Sequence, residues 1–272
     1  MGGRGTSGAA AVTAGFARPE DVPALKRLWQ TCFGDDPAYI GLYFDHFPPQ
    51  SVAVLRREEE ILSMTVCFDV TYISADGDEH PGAYLYAVAT APDARGQGCC
   101  RRLLRWTETA LKSRGCRFTC LRPATSALQT MYAKLGYAPA FTCRQWRVQA
   151  ETAADVCLRA VDAARYFQLR ELFLQSEFLS WPQKTVAHAG SLGRLLELES
   201  PRGLACAAVE QTPDGSVVKE FLGEEDCLPA LAAELGGKPL LVRAPGAQTP
   251  FAMAKTLCPM PRPEGWLGFA FD

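Results

Sequence analysis

The sequence predicts an α/β (α+β) fold in two parts. Three observations carry that prediction. An apolar, aromatic and β-branched stretch, Tyr84–Thr90, reads as a buried strand and passes through Arg95-Gly96-Gln97-Gly98-Cys99-Cys100 straight into an amphipathic helix. Around it the pattern is strand, helix, helix, three strands, helix, strand, helix, strand, from Phe16 to Val148. From about Asp155 to Asp272 much of that order recurs.

Length and composition bound the reading. At 272 residues the chain exceeds the usual single domain, and Gln149–Ala154 reads as a linker. Net charge is −2 with no long basic run, so no nucleic-acid partner is expected. No apolar run reaches membrane-spanning length, so no membrane partner is expected either. The 11 cysteines are odd in number, none stands at Cys-x-x-Cys spacing, and only three histidines accompany them. That argues against a zinc cluster, so no metal is assigned, and it favours free thiols in a reducing, cytoplasmic setting.

The elements follow in order. Met1–Gly15 is rich in Gly, Ala, Ser and Thr and is expected to be a disordered leader. Met1-Gly2 with Thr6 matches an N-myristoylation pattern, but floppy leaders share that composition. Phe16–Arg18 starts the fold as a short strand. A helix follows, with Val22, Leu25, Leu28, Trp29 and Cys32 on one face. A second helix, ended by Pro48-Pro49, carries Tyr39, Tyr43, Phe44 and His46, each readable as a pocket wall or as core. Ser51–Arg56 and Ile61–Thr71 are strands around the charged turn Arg57–Glu60. Asp76-Gly77-Asp78 turns the chain into the Tyr84 strand.

After the glycine turn, Leu103, Leu104, Thr107, Ala110 and Leu111 recur at helical spacing. Unpaired N–H groups and the positive end of the helix dipole meet there, an arrangement that favours bound phosphate. No Gly-Lys-Ser/Thr follows, so this is not a Walker A loop, and the spacing is not that of a dinucleotide fingerprint. Cys99 and Cys100 read as small packing residues, although a helix N-terminus can also lower a thiol pKa. Downstream, Arg117–Leu121 is a strand and Ser126-Ala127-Leu128-Gln129 has capping-box spacing. Leu128, Met131 and Leu135 form a stripe stopped by Gly136. Phe141–Val148 is the last strand of this part.

These two segments together resemble the GNAT superfamily of acyl-CoA-dependent N-acyltransferases. Arg95, Gly96 and Gly98 match its pyrophosphate-loop pattern, RGxGxG/A, while Cys100 stands where Gly or Ala is usual. Met131-Tyr132-Ala133-Lys134-Leu135-Gly136-Tyr137 resembles the signature around the family's fourth helix. The resemblance implies a GNAT fold with a mixed central sheet over residues 16–148, and acetyl-CoA (coenzyme A) as cofactor. It assigns Val88, Ala89 and Thr90 to the pantetheine and thioester. Arg95 belongs to the loop, and the amides of Gly96, Gln97, Gly98, Cys99, Cys100 and Arg101 are assigned to the pyrophosphate. Tyr132 would protonate the leaving thiolate. The implied reaction is direct acetyl transfer to a small-molecule or peptide amine. A non-catalytic acyl-CoA-binding regulator is the alternative, and an aminoacyl-tRNA-dependent transferase is disfavoured by the near-neutral charge.

In the second part, Val156–Ala160 reads as a strand, and Val161–Phe178 and Lys184–Leu198 as helices. Leu204–Glu210 and Val217–Leu222 flank Pro213-Asp214-Gly215 as a hairpin. Asp226–Leu235 is a helix, and Pro239–Arg243 and Trp266–Phe271 are strands. Residues 155–272 are read as a degenerate GNAT-like α+β domain without the loop or the tyrosine helix. This tandem order resembles the enhanced intracellular survival family, though the chain is short for that family's third, sterol-carrier-like part. In that family the terminal carboxylate reaches the first active site. The resemblance thus implies that the end of this chain, with Asp272, supplies the catalytic base, two adjacent carboxylates raising one pKa. A homo-oligomer is left open.

Overall fold

The structure is a computed structural model that describes residues 11–151, 155–212 and 215–271. Contacts group these into two compact units. One takes residues up to 67 with 85–110, the other residues 68–84 with those from 111 on.

In the first unit, β1 (Val12–Phe16) runs antiparallel to β2 (Val52–Arg57), with Phe16 opposite Ala53. The strand therefore begins within the expected leader, because Val12–Gly15 find a partner along β2. Two helices separate these strands: α1 (Val22–Phe33) and α2 (Pro37–His46). The α2 N-cap is Asp36, whose carboxylate accepts from Ala38 N–H at 2.7 Å. β3 (Glu60–Ile73) pairs antiparallel with β2 from Glu60 to Val66, and β4 (Glu79–Thr90) follows beside it. The long helix α3 (Cys99–Ser113) buries Leu103 and Leu104 on one face and leaves Arg101, Arg102 and Arg105 exposed on the other.

In the second unit, the early part of β4 pairs in parallel with β5 (Phe118–Leu121), Gly82 opposite Phe118. Next come α4 (Ser126–Ala133), β6 (Ala138–Pro139) and β7 (Thr142–Val148). The α4 N-cap is Thr125, one residue ahead of the expected Ser126, and its hydroxyl accepts from Leu128 N–H at 3.2 Å. Then follow β8 (Cys157–Ala160), α5 (Ala163–Phe173), β9 (Phe178–Ser180) and α6 (Gln183–Ser191). The last group is β10 (Gly193–Ser200), β11 (Gly203–Thr212), β12 (Gly215–Gly223), α7 (Leu228–Glu234), β13 (Leu240–Pro250) and β14 (Met253–Thr256).

Strand pairing differs from chain order. β14 inserts antiparallel between β5 and β6, Met253 facing both Leu121 and Pro139. β9 pairs with the end of β3. β7, expected to close the first part, instead forms the edge of a six-stranded sheet ordered β7-β13-β12-β11-β10-β8. On that sheet α7 packs Leu228, Leu231 and Ala232 against Leu196, Leu198, Val218 and Val242. No helix among the described residues is long and apolar enough to cross a membrane.

Three expectations are corrected. The expected helix Lys184–Leu198 is a helix to Ser191 and a strand from Gly193. An apolar run such as Leu195–Leu198 suits either state, and here β11 offers a ladder, Leu196 opposite Ala207. The expected helix over Val161–Phe178 stops at Phe173, because Phe178 joins β9. Trp266–Phe271 is buried but is not a strand; it makes one isolated bridge, Phe178 to Trp266. Gly265 and Gly268, both at φ 80°, break the extended run.

The first unit contains a buried ion pair. Arg56 donates two hydrogen bonds to Asp21, at 3.0 and 2.8 Å, and both residues are buried. Burial alone would raise the Asp21 carboxyl. Hydrogen bonds from Arg56 and from the Arg18 N–H, with the Arg56 charge, hold it below its ordinary 3.8. A folded-state pKa below the unfolded one contributes stability that is complete above about pH 3.8 and is lost as pH falls through the lower folded value. Asp21→Asn leaves the guanidinium buried and uncompensated. Urea unfolding should therefore show a loss of about 3–5 kcal/mol at neutral pH and a flatter acid limb.

Candidate functional site

The first unit holds the loop that the motif singled out. β4 ends at Thr90; the chain then turns through Pro92–Ala94 and Arg95 to the start of α3. Gly96 and Gly98 both lie at φ 76°, where an L side chain costs about 1–2 kcal/mol. No atom lies within 4 Å of where a Cβ would sit at either glycine. The backbone is thus open to close approach. Arg102 N–H bonds back to Gly98 C=O at 3.0 Å, which leaves the first amides of α3, at Cys99, Cys100 and Arg101, ahead of the helical ladder. An exposed loop with open glycines and forward-pointing amides fits a pyrophosphate.

Side chains brace this loop. Arg95 donates from Nε to Thr90 C=O at 3.2 Å and from Nη2 to the Cys32 sulfur at 3.7 Å. Gln97 donates to Asp93 C=O at 2.7 Å. Cys32, on α1, itself donates to Thr90 C=O at 3.5 Å. On β3, the buried Ser63 donates to Ala89 C=O at 2.6 Å and meets the Thr90 hydroxyl at 3.0 Å. Thr65 donates to Tyr86 C=O at 3.2 Å. The carbonyl of Thr90 thus accepts from two side chains, Arg95 and Cys32, and that of Ala89 from Ser63, so the end of β4 is held in place. Ser63 and Thr65 went unremarked in the sequence, yet two hydroxyls inside the apolar run Ile61–Val66 require partners.

β4 carries a second irregularity. Ala87 adopts φ 48°, left-handed for a non-glycine in mid-strand. It kinks the strand one residue before Val88, which is half-buried; Ala89 is buried and Thr90 half-buried. Before the kink, Tyr86 meets an aromatic group on the helices. Its ring lies 5.5 Å from that of Trp29, and its hydroxyl 3.0 Å from that of Tyr39. Tyr43 is core: it is buried, its hydroxyl lies 2.5 Å from Ser51 Oγ, and burial, only partly offset by that bond, pushes its pKa up. His46 uses Nδ1 as donor to Leu42 C=O at 2.8 Å, which puts the imine lone pair of the neutral ring on Nε2.

The other named residues lie in the second unit. Tyr132 is on α4, 5% exposed, its ring 5.8 Å from that of Tyr137. Tyr137 in turn shares a 2.9 Å hydrogen bond with Thr119 on β5. Asp272 lies outside the described residues. Its neighbour Phe271 is buried, stacks on Phe68 at 4.9 Å, and accepts from the Tyr84 hydroxyl at 3.3 Å. His188, buried on α6 with its ring 5.6 Å from Phe271, is a titratable group that the sequence reading passed over. No periodic signal marked it.

Residues 15–140 match the family model described as an acetyltransferase (GNAT) domain. No curated protein is similar in sequence. Among solved structures, a GCN5-related N-acetyltransferase from Anabaena variabilis ATCC 29413 aligns with TM-score 0.70 at 16% identity, over 91% of this chain and 73% of that one. One from Kribbella flavida gives 0.68 at 17% identity, over 91% and 72%. Eis1 from Mycobacterium abscessus gives 0.62 at 11% identity, over 91% and 74%. At these identities the likeness is one of fold.

The paired thiols yield a test. Burial, with Cys99 beside it, pushes the Cys100 thiol up to about 11. At pH 7.5 roughly one Cys100 in 3 × 10³ is then a thiolate. Mass spectrometry after brief iodoacetamide treatment should find Cys100 modified at least about tenfold more slowly than the exposed Cys157.

Proposed function

We propose, from the premise that residues 15–140 form an acetyltransferase (GNAT) domain, that the protein transfers acetyl groups from acetyl-CoA directly to an amine of a small molecule or peptide. The observation that carries this reading is the open glycine loop at the start of α3. Gly96 and Gly98 leave backbone exposed at a helix N-terminus, where phosphate oxygens are favoured. In this reading the amides of residues 96–101 hold the pyrophosphate and Arg95 keeps the loop in shape. The backbone of Val88, Ala89 and Thr90, set by the kink at Ala87, receives the pantetheine arm. Bound there, acetyl-CoA supplies an activated acyl group.

The chain's own residues then handle protons. The acceptor arrives as an ammonium ion and must lose a proton before it can attack the acyl carbon. The Asp272 side chain is the proposed base; the burial of Phe271 and its bond to Tyr84 support a role for this segment. Tyr132 is the proposed acid, giving its phenolic proton to the departing sulfur.

Three measurements test the reading. With a panel of amines and acetyl-CoA, the protein should release free thiol only when an amine is present; tight binding without release would favour a regulatory role instead. Gly98→Trp should abolish measurable CoA binding by calorimetry while circular dichroism stays native, and Gly96→Ala should weaken it. Tyr132→Phe should lower kcat by about 10²–10⁴-fold with CoA affinity unchanged; an unaltered rate would make this tyrosine a packing residue.

A further inference from the structure

In the second unit one carboxylate gathers an unusual number of donors. Glu220, on β12, is fully buried. It accepts from Arg170 Nε at 2.7 Å and Arg170 Nη2 at 3.1 Å. The Tyr166 hydroxyl donates to it at 3.3 Å, and the Trp266 indole at 2.7 Å. Arg170 and Tyr166 come from α5, and Trp266 from the segment that precedes Asp272. Arg170 also donates to Leu179 C=O at 3.3 Å, and its guanidinium sits over the Phe269 ring at 5.0 Å.

Stability does not explain such a group. Removing two charges from water costs about what their attraction returns, and apolar residues of similar size often serve as well. Directional bonds offer something else, a single register. The segment from Trp266 to Phe271 needs one. It lies in no strand and is flanked and interrupted by glycines at φ 80°. It is also pressed close: a Cβ at Gly268 would fall 2.8 Å from Trp181 Nε1 and 2.9 Å from Arg170 Nη2. Trp181 donates to Leu267 C=O at 2.7 Å, next to the Glu220 contact. Beyond these anchors Phe271 meets the hydroxyl of Tyr84, a β4 residue four positions ahead of Val88.

We infer that Arg170 and Glu220 are positioning residues for acetyl transfer: they lock Trp266, and through it the whole segment to Phe271, in one register, on which the base role proposed for Asp272 depends. The inference rests on the acetyltransferase reading above. Neither residue touches a reacting atom; they act through the chain that they hold.

Trp266→Phe tests this with the ion pair left whole, since it removes only the indole donor to Glu220. Tyr166→Phe, which deletes the weaker donor, serves as a mild companion. Glu220→Gln, which unbalances Arg170, is the severe one. Hydrogen exchange of the peptide spanning 265–271 is read in each full-length protein, beside kcat and the acetyl-CoA KM. For Trp266→Phe the expected result is a melting temperature within a few degrees of wild type, at least tenfold faster exchange in that peptide alone, and a roughly tenfold lower kcat at unchanged KM. Unchanged exchange in folded Trp266→Phe overturns the lock. Faster exchange with unchanged kcat overturns the role in transfer. If Trp266→Phe does not fold, the same two readings are taken on Tyr166→Phe, with smaller changes expected. A wild type that releases no thiol with any amine rejects the parent reading and with it the role in transfer, while the exchange arm still decides the lock.

Discussion

At the start of α3, three backbone N–H groups point where no carbonyl of their own helix can reach them. The surrounding chain in the first unit is built to keep that cluster of partial positive charge open. Glycines turn the approach at angles other residues resist, and Arg95, Gln97 and Cys32 tie the turn to its flanks. Ser63 and Thr65 brace the strand that feeds it. The hydrophobic face of α3, through Leu103 and Leu104, anchors the helix so that its exposed end stays in one place. The dipole adds about half a unit charge, worth about 0.3–1 kcal/mol to a nearby anion.

The second unit meets a different constraint. It buries a carboxylate, Glu220, under four donor bonds on two oxygens. Burial works against the charge on Arg170, yet Glu220 beside it holds the guanidinium's pKa above its ordinary value. The same carboxylate, after burial and Cys206, helps push the Tyr166 phenol well up, so that it stays a donor. A group so arranged cannot slide without breaking several bonds together.

What the sequence disclosed follows the strength of local rules. The loop was legible because positive φ at Gly96 and Gly98 is a demand that few residues other than glycine meet. Ala87, with the same sign of φ, left no trace, since alanine carries no such signal. The apolar run after Leu192 could be helix or strand, and only the neighbouring β11 decides. The aromatic composition of Trp266–Phe271 correctly foretold burial, while Gly265 and Gly268 denied it the strand form. Met253–Thr256 has no pattern of its own; a gap between two other strands makes it β14. Cys32 and His188 owe their positions to tertiary packing, to which a single sequence is blind.

That gap bears on how the chain comes to fold. Met253 pairs with Pro139, a separation of 114 positions, so the sheet around β5 and β6 stays incomplete until the chain has been made through Thr256. Until then β5 presents an unpaired edge, and no nearby stretch can satisfy it by early local closure. Contacts this distant slow folding and prolong the time in which exposed strand edges can find the wrong partner. The β10–β11 and β11–β12 hairpins, by contrast, close over short separations in the chain.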